Sequence, residues 1–244
     1  MTTKTYLNYE KIGHIVQITL NRPEKLNALN KNMVEALYNA WNEFELDDDA
    51  RVAVIAGEGR AFSAGVDITD PTPVVRSVPG IGREVTKPII AAVNGHCVGV
   101  GLVIAFMSDI RIAEENAIFM YPEAKLGITG GMGSLLSKYI PLGIALEMLM
   151  VGDGIPAQRA YEVGLANRVV PVGKGLEAAM EMAEKIANNA PMAVQALKKL
   201  ARDTSIMEAT GVGTKITSAI AVSADAQEGF NAFKEKRSPV FTGK

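Results

Sequence analysis

Three short runs of mostly apolar residues constrain the fold of this 244-residue chain more than any other feature. They are RVAVIAG, PIIAAVNG and DIRIA, at residues 51–57, 88–95 and 109–113. A strand that is covered on one face alternates apolar and polar residues. A strand that is covered on both faces reads as a nearly continuous apolar run, which is typical of parallel sheets with helices on either side. The sequence therefore predicts an α/β protein around a buried sheet.

The segments next to these runs predict further strands and helices. HIVQITL at residues 14–20 is typical of a strand, and the following NRP is a turn signal that ends it. The next segment predicts a helix whose apolar stripe is formed by Met33, Leu37, Trp41 and Phe44. Asn30 is a plausible N-cap for this helix. From Pro156 onward the pattern is nearly all helical, so we expect a strand-rich first part and a helical last third.

Composition excludes several classes of protein. The chain carries 25 basic and 27 acidic residues, and no polybasic tract argues for nucleic acid or a membrane surface as a partner. No apolar run reaches the roughly 20 residues that span a bilayer. Cys97 is the single cysteine, and no His/Cys/Asp cluster has the spacing of a metal site. The first residues are too polar for a signal peptide, so we expect a soluble, cytoplasmic protein without a bound metal.

Two glycine-bracketed segments are the candidate functional loops. GRAFSAGVDI at residues 59–68 follows a buried strand, and NGHCVGVG at residues 94–101 leads into an apolar helix. In both places free backbone N–H groups would lie at the end of a strand, and in the second also at a helix N-terminus. The spacing is not that of a dinucleotide-binding fingerprint, which also requires an acidic residue about 20 positions later. Tight turns and close helix packing explain either loop equally well when it is considered alone.

Seven motifs together are more specific than either loop. In chain order they are NRPEKLNAL, AFSAGVDI, KPIIAAVNGHCVGVG, SDIRIA, YPEAKLGI, AYEVGLANRVVP and EGFNAFKEKRSPVF. This order and spacing resemble the crotonase superfamily, which includes enoyl-CoA hydratases and enoyl-CoA isomerases, from about Tyr6 to Phe241. The resemblance implies a spiral of ββα units as the core, residues 1–190, and a helical C-terminal trimerisation region, residues 191–244. It also implies a homo-oligomer, either a trimer or a dimer of trimers.

The resemblance implies an acyl-CoA substrate and assigns roles to individual positions. The backbone N–H groups of Val66 and Val100 would hold the enolate oxygen of the thioester, because fixed donors stabilise charge that develops during a reaction. The residues implied in CoA binding are Lys25, Leu26, Ala28, Ala61, Ser63, Ala64, Asp67, Ile68, Phe233 and Lys236. Of these, residues 25–28 would contact pantetheine and residues 61–68 the adenine end. No cofactor is implied beyond the CoA moiety of the substrate.

The position at which the hydratases of this superfamily have the first of two glutamates carries an uncharged residue in this chain. That position is Val103 here, whereas the second glutamate is present as Glu123. Hydration needs one group that activates water and one that handles the proton on the α-carbon, whereas a single carboxylate can move one proton between two carbons. The leading hypothesis is therefore an enoyl-CoA isomerase with Glu123 as the base. A hydratase or lyase that uses a different second group and a non-catalytic CoA-thioester-binding protein remain alternatives. By itself, Glu123 after a proline is equally typical of a helix cap or a solvated acid.

Overall fold

A six-stranded sheet forms the centre of the computed structural model, which describes residues 6–128, 131–202 and 222–243. In spatial order its strands are β1 (Leu7–Ile12), β2 (Ile15–Leu20), β3 (Val52–Gly57), β5 (Ile89–Val93), β7 (Ile110–Glu114) and β10 (Arg168–Val170). The first two strands pair antiparallel, and the other neighbours pair parallel. The three apolar runs of the sequence are therefore the parallel strands β3, β5 and β7 in the middle of the sheet. This confirms the predicted α/β class.

A second sheet of four short strands lies beside the first. Its strands are β4 (Ala61–Ser63), β6 (His96–Val98), β8 (Ile118–Met120) and β9 (Ile155–Pro156). Each of β4, β6 and β8 follows a strand of the large sheet by a few residues, so that pairs of strands recur along the chain. The sequence predicts loops in the segments that hold β4 and β6, and this is wrong for those residues. A strand of three residues is too short to show a period of two.

Seven helices surround the sheets in the described part of the chain. They are α1 (Lys31–Leu46), α2 (Val100–Met107), α3 (Leu142–Val151), α4 (Ala157–Glu162), α5 (Gly175–Ala187), α6 (Pro191–Arg202) and α7 (Ala224–Glu235). Four short 3-10 turns add to them: Pro23–Lys25, Val75–Ser77, Glu123–Leu126 and Met132–Lys138. The prediction of an almost entirely helical part after Pro156 is wrong at β10, which pairs with β7. None of the described helices is long and apolar enough to cross a membrane.

The apolar core lies on both faces of the six-stranded sheet. On one face, the predicted stripe of α1 and the whole of α2 pack in a large cluster of buried side chains. On the other face, three alanines of α5 at positions 179, 183 and 187 pack on strand residues such as Val54 and Ile90. Asn30 caps α1 as predicted, because its side chain accepts a hydrogen bond from the Met33 N–H. Cover on both faces explains why the central strands are continuously apolar.

The helical C-terminal part is tied to the core by an ionic contact. Lys198 and Arg202 of α6 lie 2.9 and 2.8 Å from the carboxylate of Asp109, which directly precedes β7. The predicted boundary near residue 190 falls between α5 and α6. The assembly role of residues 191–244 stays a prediction.

Candidate active site

The two glycine loops of the sequence touch each other in the structure. Gly65 and Gly99 have φ values of 91° and 56°, which L side chains rarely adopt. A Cβ at residue 65 would lie 3.0 Å from the carbonyl oxygen of Val98, and a Cβ at residue 99 would lie 3.8 Å from the Cα of Gly65. Glycine is therefore required at both positions, since the two backbones approach each other where a side chain would stand.

The Val66 N–H is left unused by the pairing of its own loop. Leu29 donates its N–H to the Gly65 carbonyl at 2.7 Å, and Asp67 donates its N–H to the Leu29 carbonyl at 2.9 Å. Successive backbone groups of an extended segment point in opposite directions, so the Val66 N–H points away from Leu29. It makes no hydrogen bond with any residue that the structure describes.

The Val100 N–H lies at the uncapped start of α2. Gly99 is the N-cap and has no side chain to accept from the first N–H groups, although its carbonyl oxygen accepts from the Val103 N–H. Within residues 6–128, 131–202 and 222–243, the Val100 N–H has no hydrogen-bond partner. The N-terminus of a helix carries a partial positive charge that favours an anion. All residues of α2 are buried, which explains why none of the residues Val100–Met107 is charged.

The carboxylate of Glu123 lies beside this turn. Glu123 begins the 3-10 turn that follows β8, and its Oε1 is only 2.8 Å from where a Cβ on Gly99 would stand. Its Oε2 is buried and accepts no hydrogen bond within the described part of the chain. Burial raises the pKa of this carboxyl above its ordinary value of 4.5. A half-buried carboxylate with an unsatisfied oxygen is neither a helix cap nor a solvated acid.

Val103 is an apolar residue of α2, the helix that begins beside Glu123. It lies three residues after Val100, so the two side chains share one face of α2. It is only 1% exposed and belongs to the large apolar cluster. The eight residues of α2 thus bring no carboxylate to the turn at Gly99.

Asp67 lies next to the Val66 N–H, but its carboxylate points into the protein. Oδ2 lies 2.6 Å from Arg22 Nη1, and Oδ1 accepts hydrogen bonds from the N–H and hydroxyl of Thr69 at 2.9 and 2.6 Å. The Thr69 hydrogen bonds and the guanidinium of Arg22 lower the pKa of Asp67 to about 2. The carboxylate is only 6% exposed and engaged within the protein, and contact of the Asp67 segment with adenine stays a prediction.

The other positions implied in CoA binding fall into two groups. Ala61 and Ser63 are enclosed, and the Ser63 hydroxyl donates to the Asn27 carbonyl and accepts from the Gly65 N–H. Contact of this segment with adenine stays a prediction, and any contact at these two positions would involve the backbone. The remaining positions with a described environment are Lys25, Leu26, Ala28, Ala64, Ile68 and Lys236.

Five of these six residues are exposed or partly exposed. Lys25, Ile68 and Lys236 are exposed, and Leu26 and Ala64 are partly exposed, whereas Ala28 is almost buried. Their contact with a ligand stays a prediction. Phe233 belongs to α7, but its side chain lies outside the described part of the structure.

Arg22 and Asn27 of the NRPEKLNAL motif make polar contacts that the sequence does not predict. Asn27 is fully buried with a φ of 54°, and its amide donates hydrogen bonds to the carbonyls of Glu58 and Ala61. Its Oδ1 accepts from the backbone N–H of Arg22. Arg22 in turn reaches Asp67. The opposite charges of Arg22 and Asp67, in two motifs that both follow strands, are the signal that could have paired them.

Comparison with known proteins adds family information to this geometry. Two family models described as enoyl-CoA hydratase/isomerase match residues 82–244 and 15–76. The chain is 37% identical to enoyl-CoA hydratase EchA19 of Mycobacterium tuberculosis, over 95% of this chain and 94% of that protein. It is 39% identical to carnitinyl-CoA dehydratase of Salmonella typhi, over 98% of both chains.

Solved structures give the same result. A crystal structure of enoyl-CoA hydratase from Mycobacterium tuberculosis H37Rv superimposes with a TM-score of 0.93 at 36% identity, covering 99% of this chain and 100% of that one. A structure of enoyl-CoA hydratase from Bacillus anthracis gives a TM-score of 0.92 at 31% identity, covering 98% and 100%. The spiral arrangement of paired strands is therefore shared with these proteins along nearly the whole chain.

Proposed function

Because the chain belongs to the enoyl-CoA hydratase/isomerase family of the crotonase superfamily, and is thus an enzyme that acts on CoA thioesters, we propose that it is an enoyl-CoA isomerase. It would shift a double bond from carbon 3 to carbon 2 of the acyl chain. The observation that carries this proposal is that, among the described residues, Glu123 brings a carboxylate to the turn whereas α2 brings none. Glu123 lies against Gly99, whereas the neighbouring position on α2 is the buried Val103.

The proposed reaction moves one proton and uses no water. The thioester oxygen accepts hydrogen bonds from the Val66 and Val100 N–H groups. Glu123 takes a proton from carbon 2, and the electrons of that C–H bond form a dienolate whose negative charge lies on the thioester oxygen. The protonated Glu123 then returns the proton to carbon 4, and the double bond forms between carbons 2 and 3. Two fixed N–H donors suit this path because they are in position before the charge develops.

The environment of Glu123 supports the role of base. Its raised pKa reflects a carboxylate that is stripped of part of its water, and such a carboxylate binds a proton more readily than a solvated one. The unsatisfied Oε2 leaves an acceptor available for a C–H proton. Val103 cannot bind or orient a water molecule, and this disfavours addition of water to the double bond.

A hydratase remains the second candidate because of the relatives' names. Proteins that are 36–39% identical to this chain are named enoyl-CoA hydratase and carnitinyl-CoA dehydratase. Hydration by this chain would require a group other than residue 103 to handle the second proton. The third alternative, a CoA-binding protein without catalysis, finds no support, since these relatives are named as enzymes.

Product analysis separates the two candidates. The purified protein is incubated with a 3-enoyl-CoA and, separately, with a 2-enoyl-CoA, and the products are resolved by liquid chromatography. We expect interconversion of the two enoyl-CoA species and little 3-hydroxyacyl-CoA. Rapid formation of 3-hydroxyacyl-CoA from the 2-enoyl-CoA would instead establish the hydratase.

Assembly and location are further parts of the proposal. We propose a homotrimer, or a dimer of trimers, on the basis of the family resemblance and of the exposed apolar side chains Leu142, Leu146 and Met150 on α3. They recur every four residues and so form one stripe. A cytoplasmic location stays a proposal.

A further inference from the structure

A mostly buried ion pair involves Asp67, the residue that directly follows Val66. The side chains of Arg22 and Asp67 are only 11% and 6% exposed, and their charged atoms lie 2.6 Å apart. Taking two charges out of water is expensive, and replacement of such a pair by apolar residues is often neutral or stabilising. Stability is therefore a weak explanation for the pair, and its position suggests a different role.

The pair fixes the residue that follows Val66. The Asp67 carboxylate accepts from Arg22 and twice from Thr69, while the Asp67 N–H donates to the Leu29 carbonyl. Arg22 Nη1 also donates to the Ala28 carbonyl at 3.0 Å, so the guanidinium joins the 22–28 segment to the Val66 loop. The backbone hydrogen bond from Asp67 to Leu29 points away from the free Val66 N–H, since successive backbone groups of an extended segment alternate in direction.

Gly65, which precedes Val66, is the reason why restraint of this loop matters. Gly65 has a φ of 91° and no side chain, and a glycine peptide unit turns more freely than any other. Leu29 holds the Gly65 carbonyl, which shares a peptide plane with the Val66 N–H, and the contacts of Asp67 restrain the backbone on the other side of Val66. A misplacement of about 1 Å at a reacting centre is able to lower a rate by roughly 100-fold.

We propose that Arg22 and Asp67 form a positioning pair that aims the Val66 N–H at the thioester oxygen. This inference rests on the proposed function, because it assumes that a thioester carbonyl occupies that place. Neither side chain touches substrate. Loss of the pair therefore weakens polarisation of the carbonyl and lowers kcat, with little change in KM.

The test uses variants that separate the orientation of the Val66 N–H from the stability of the folded protein. Arg22→Met removes the cation but leaves Asp67 buried and unpaired, which is destabilising. The double variant Arg22→Met/Asp67→Asn removes both charges and keeps the acceptor for Thr69, so it provides a folded alternative. Lys198→Met is the matched control, since Lys198 and Asp109 are also a mostly buried pair, at 10% and 18% exposure. Asp109 follows the far end of α2, about 12 Å along the helix from Val100.

The readout is the infrared stretch of a bound thioester carbonyl. Each protein is saturated with butyryl-CoA that carries ¹³C at the carbonyl, a saturated thioester that cannot undergo the reaction. Turnover of a 3-enoyl-CoA and thermal unfolding are measured in parallel. We expect the wild type and Lys198→Met to shift the band to lower frequency. The double variant loses part of that shift and at least about tenfold in kcat, with KM changed by less than about threefold.

Each outcome decides between the inference and its alternatives. An unchanged band and kcat in the double variant overturn the positioning role and leave the proposed function intact. An equal fall of kcat in Lys198→Met also overturns it, because the effect then follows from general destabilisation. No shift of the band in the wild type overturns both the inference and the proposed arrangement of donors.

Discussion

At the scale of single residues, the proposed role of Glu123 as the base is tested directly by substitution. Glu123→Gln keeps the shape of the side chain and removes the base. We expect turnover of a 3-enoyl-CoA to fall by about a hundred- to ten-thousandfold, the usual worth of a positioned proton-transfer group. Binding of CoA thioesters, measured by calorimetry, should remain. A variant that keeps nearly the wild-type rate would show that another group is the base.

The raised pKa of Glu123 predicts opposite effects of pH on activity and stability. Burial favours the protonated form, so turnover should rise with pH through a pKa above the ordinary 4.5. The folded state binds this proton more tightly than the unfolded state. Its stability therefore decreases as pH rises from below 4.5 through the folded pKa, and the penalty persists at neutral pH. Thermal unfolding of Glu123→Gln should consequently occur above that of the wild type at pH 7, with the difference shrinking in acid. A difference of the same size at both pH values would contradict this assignment.

Val103 tests which residue decides between isomerisation and hydration. Val103→Glu places a second carboxylate three residues after the Val100 N–H. Two neighbouring carboxylates repel, so one of them holds its proton more strongly, and the pair becomes able to orient a water molecule. We expect measurable hydration of a 2-enoyl-CoA, slower isomerisation and a loss of about 1–3 kcal/mol in stability.

Val103→Gln is the control for this substitution, because it adds polarity without a carboxyl group. It should lose stability in the same range and gain no hydration. Strong hydratase activity in the unmodified protein would refute the idea that Val103 determines the reaction.

At the scale of secondary-structure elements, the start of α2 depends on a glycine at residue 99. Gly99→Ala would put a Cβ 2.8 Å from Glu123 Oε1 and force a φ of 56° on an alanine. We expect the carboxylate to be displaced and turnover to fall by at least tenfold, on the order of the effect of a 1 Å misplacement. Gly13→Ala is the matched control, since Gly13 has a φ of 59° with no atom near its absent Cβ. A loss of activity in Gly13→Ala as large as in Gly99→Ala would attribute the effect to backbone strain.

The same elements show what sequence patterns are able to predict. The runs that became β3, β5 and β7 are predictable because burial on both faces leaves a continuous apolar signal, and α1 because Asn30 and a helical stripe mark it. Strands of two or three residues, such as β4 and β10, carry no period and depend on partners far away in the chain. The proximity of Glu123 to Gly99 is likewise a tertiary contact. The inward turn of Asp67 depends on Arg22, which lies 45 residues earlier.

At the scale of the whole molecule, α3 leaves an apolar face without cover among the described residues. Leu142, Leu146 and Met150 are 61%, 40% and 68% exposed, and they form one stripe along the helix. Contiguous exposed apolar surface of this kind marks an interaction site more often than a solvated face. A ring of three copies closes on itself, so each copy is able to bury such a surface without open-ended growth.

The oligomeric state tests this assignment directly. We expect light scattering at micromolar concentration to give a mass corresponding to three or six copies of the 26.0 kDa chain. The double variant Leu142→Glu/Met150→Glu should be smaller, because charges on an apolar contact must be desolvated without partners. Leu46→Glu is the control, since Leu46 is also exposed, at the end of α1, and lies outside the stripe. A wild-type monomer would refute the assembly itself, whereas an unchanged mass in the double variant would refute the role of α3 and place the contact elsewhere on the molecule.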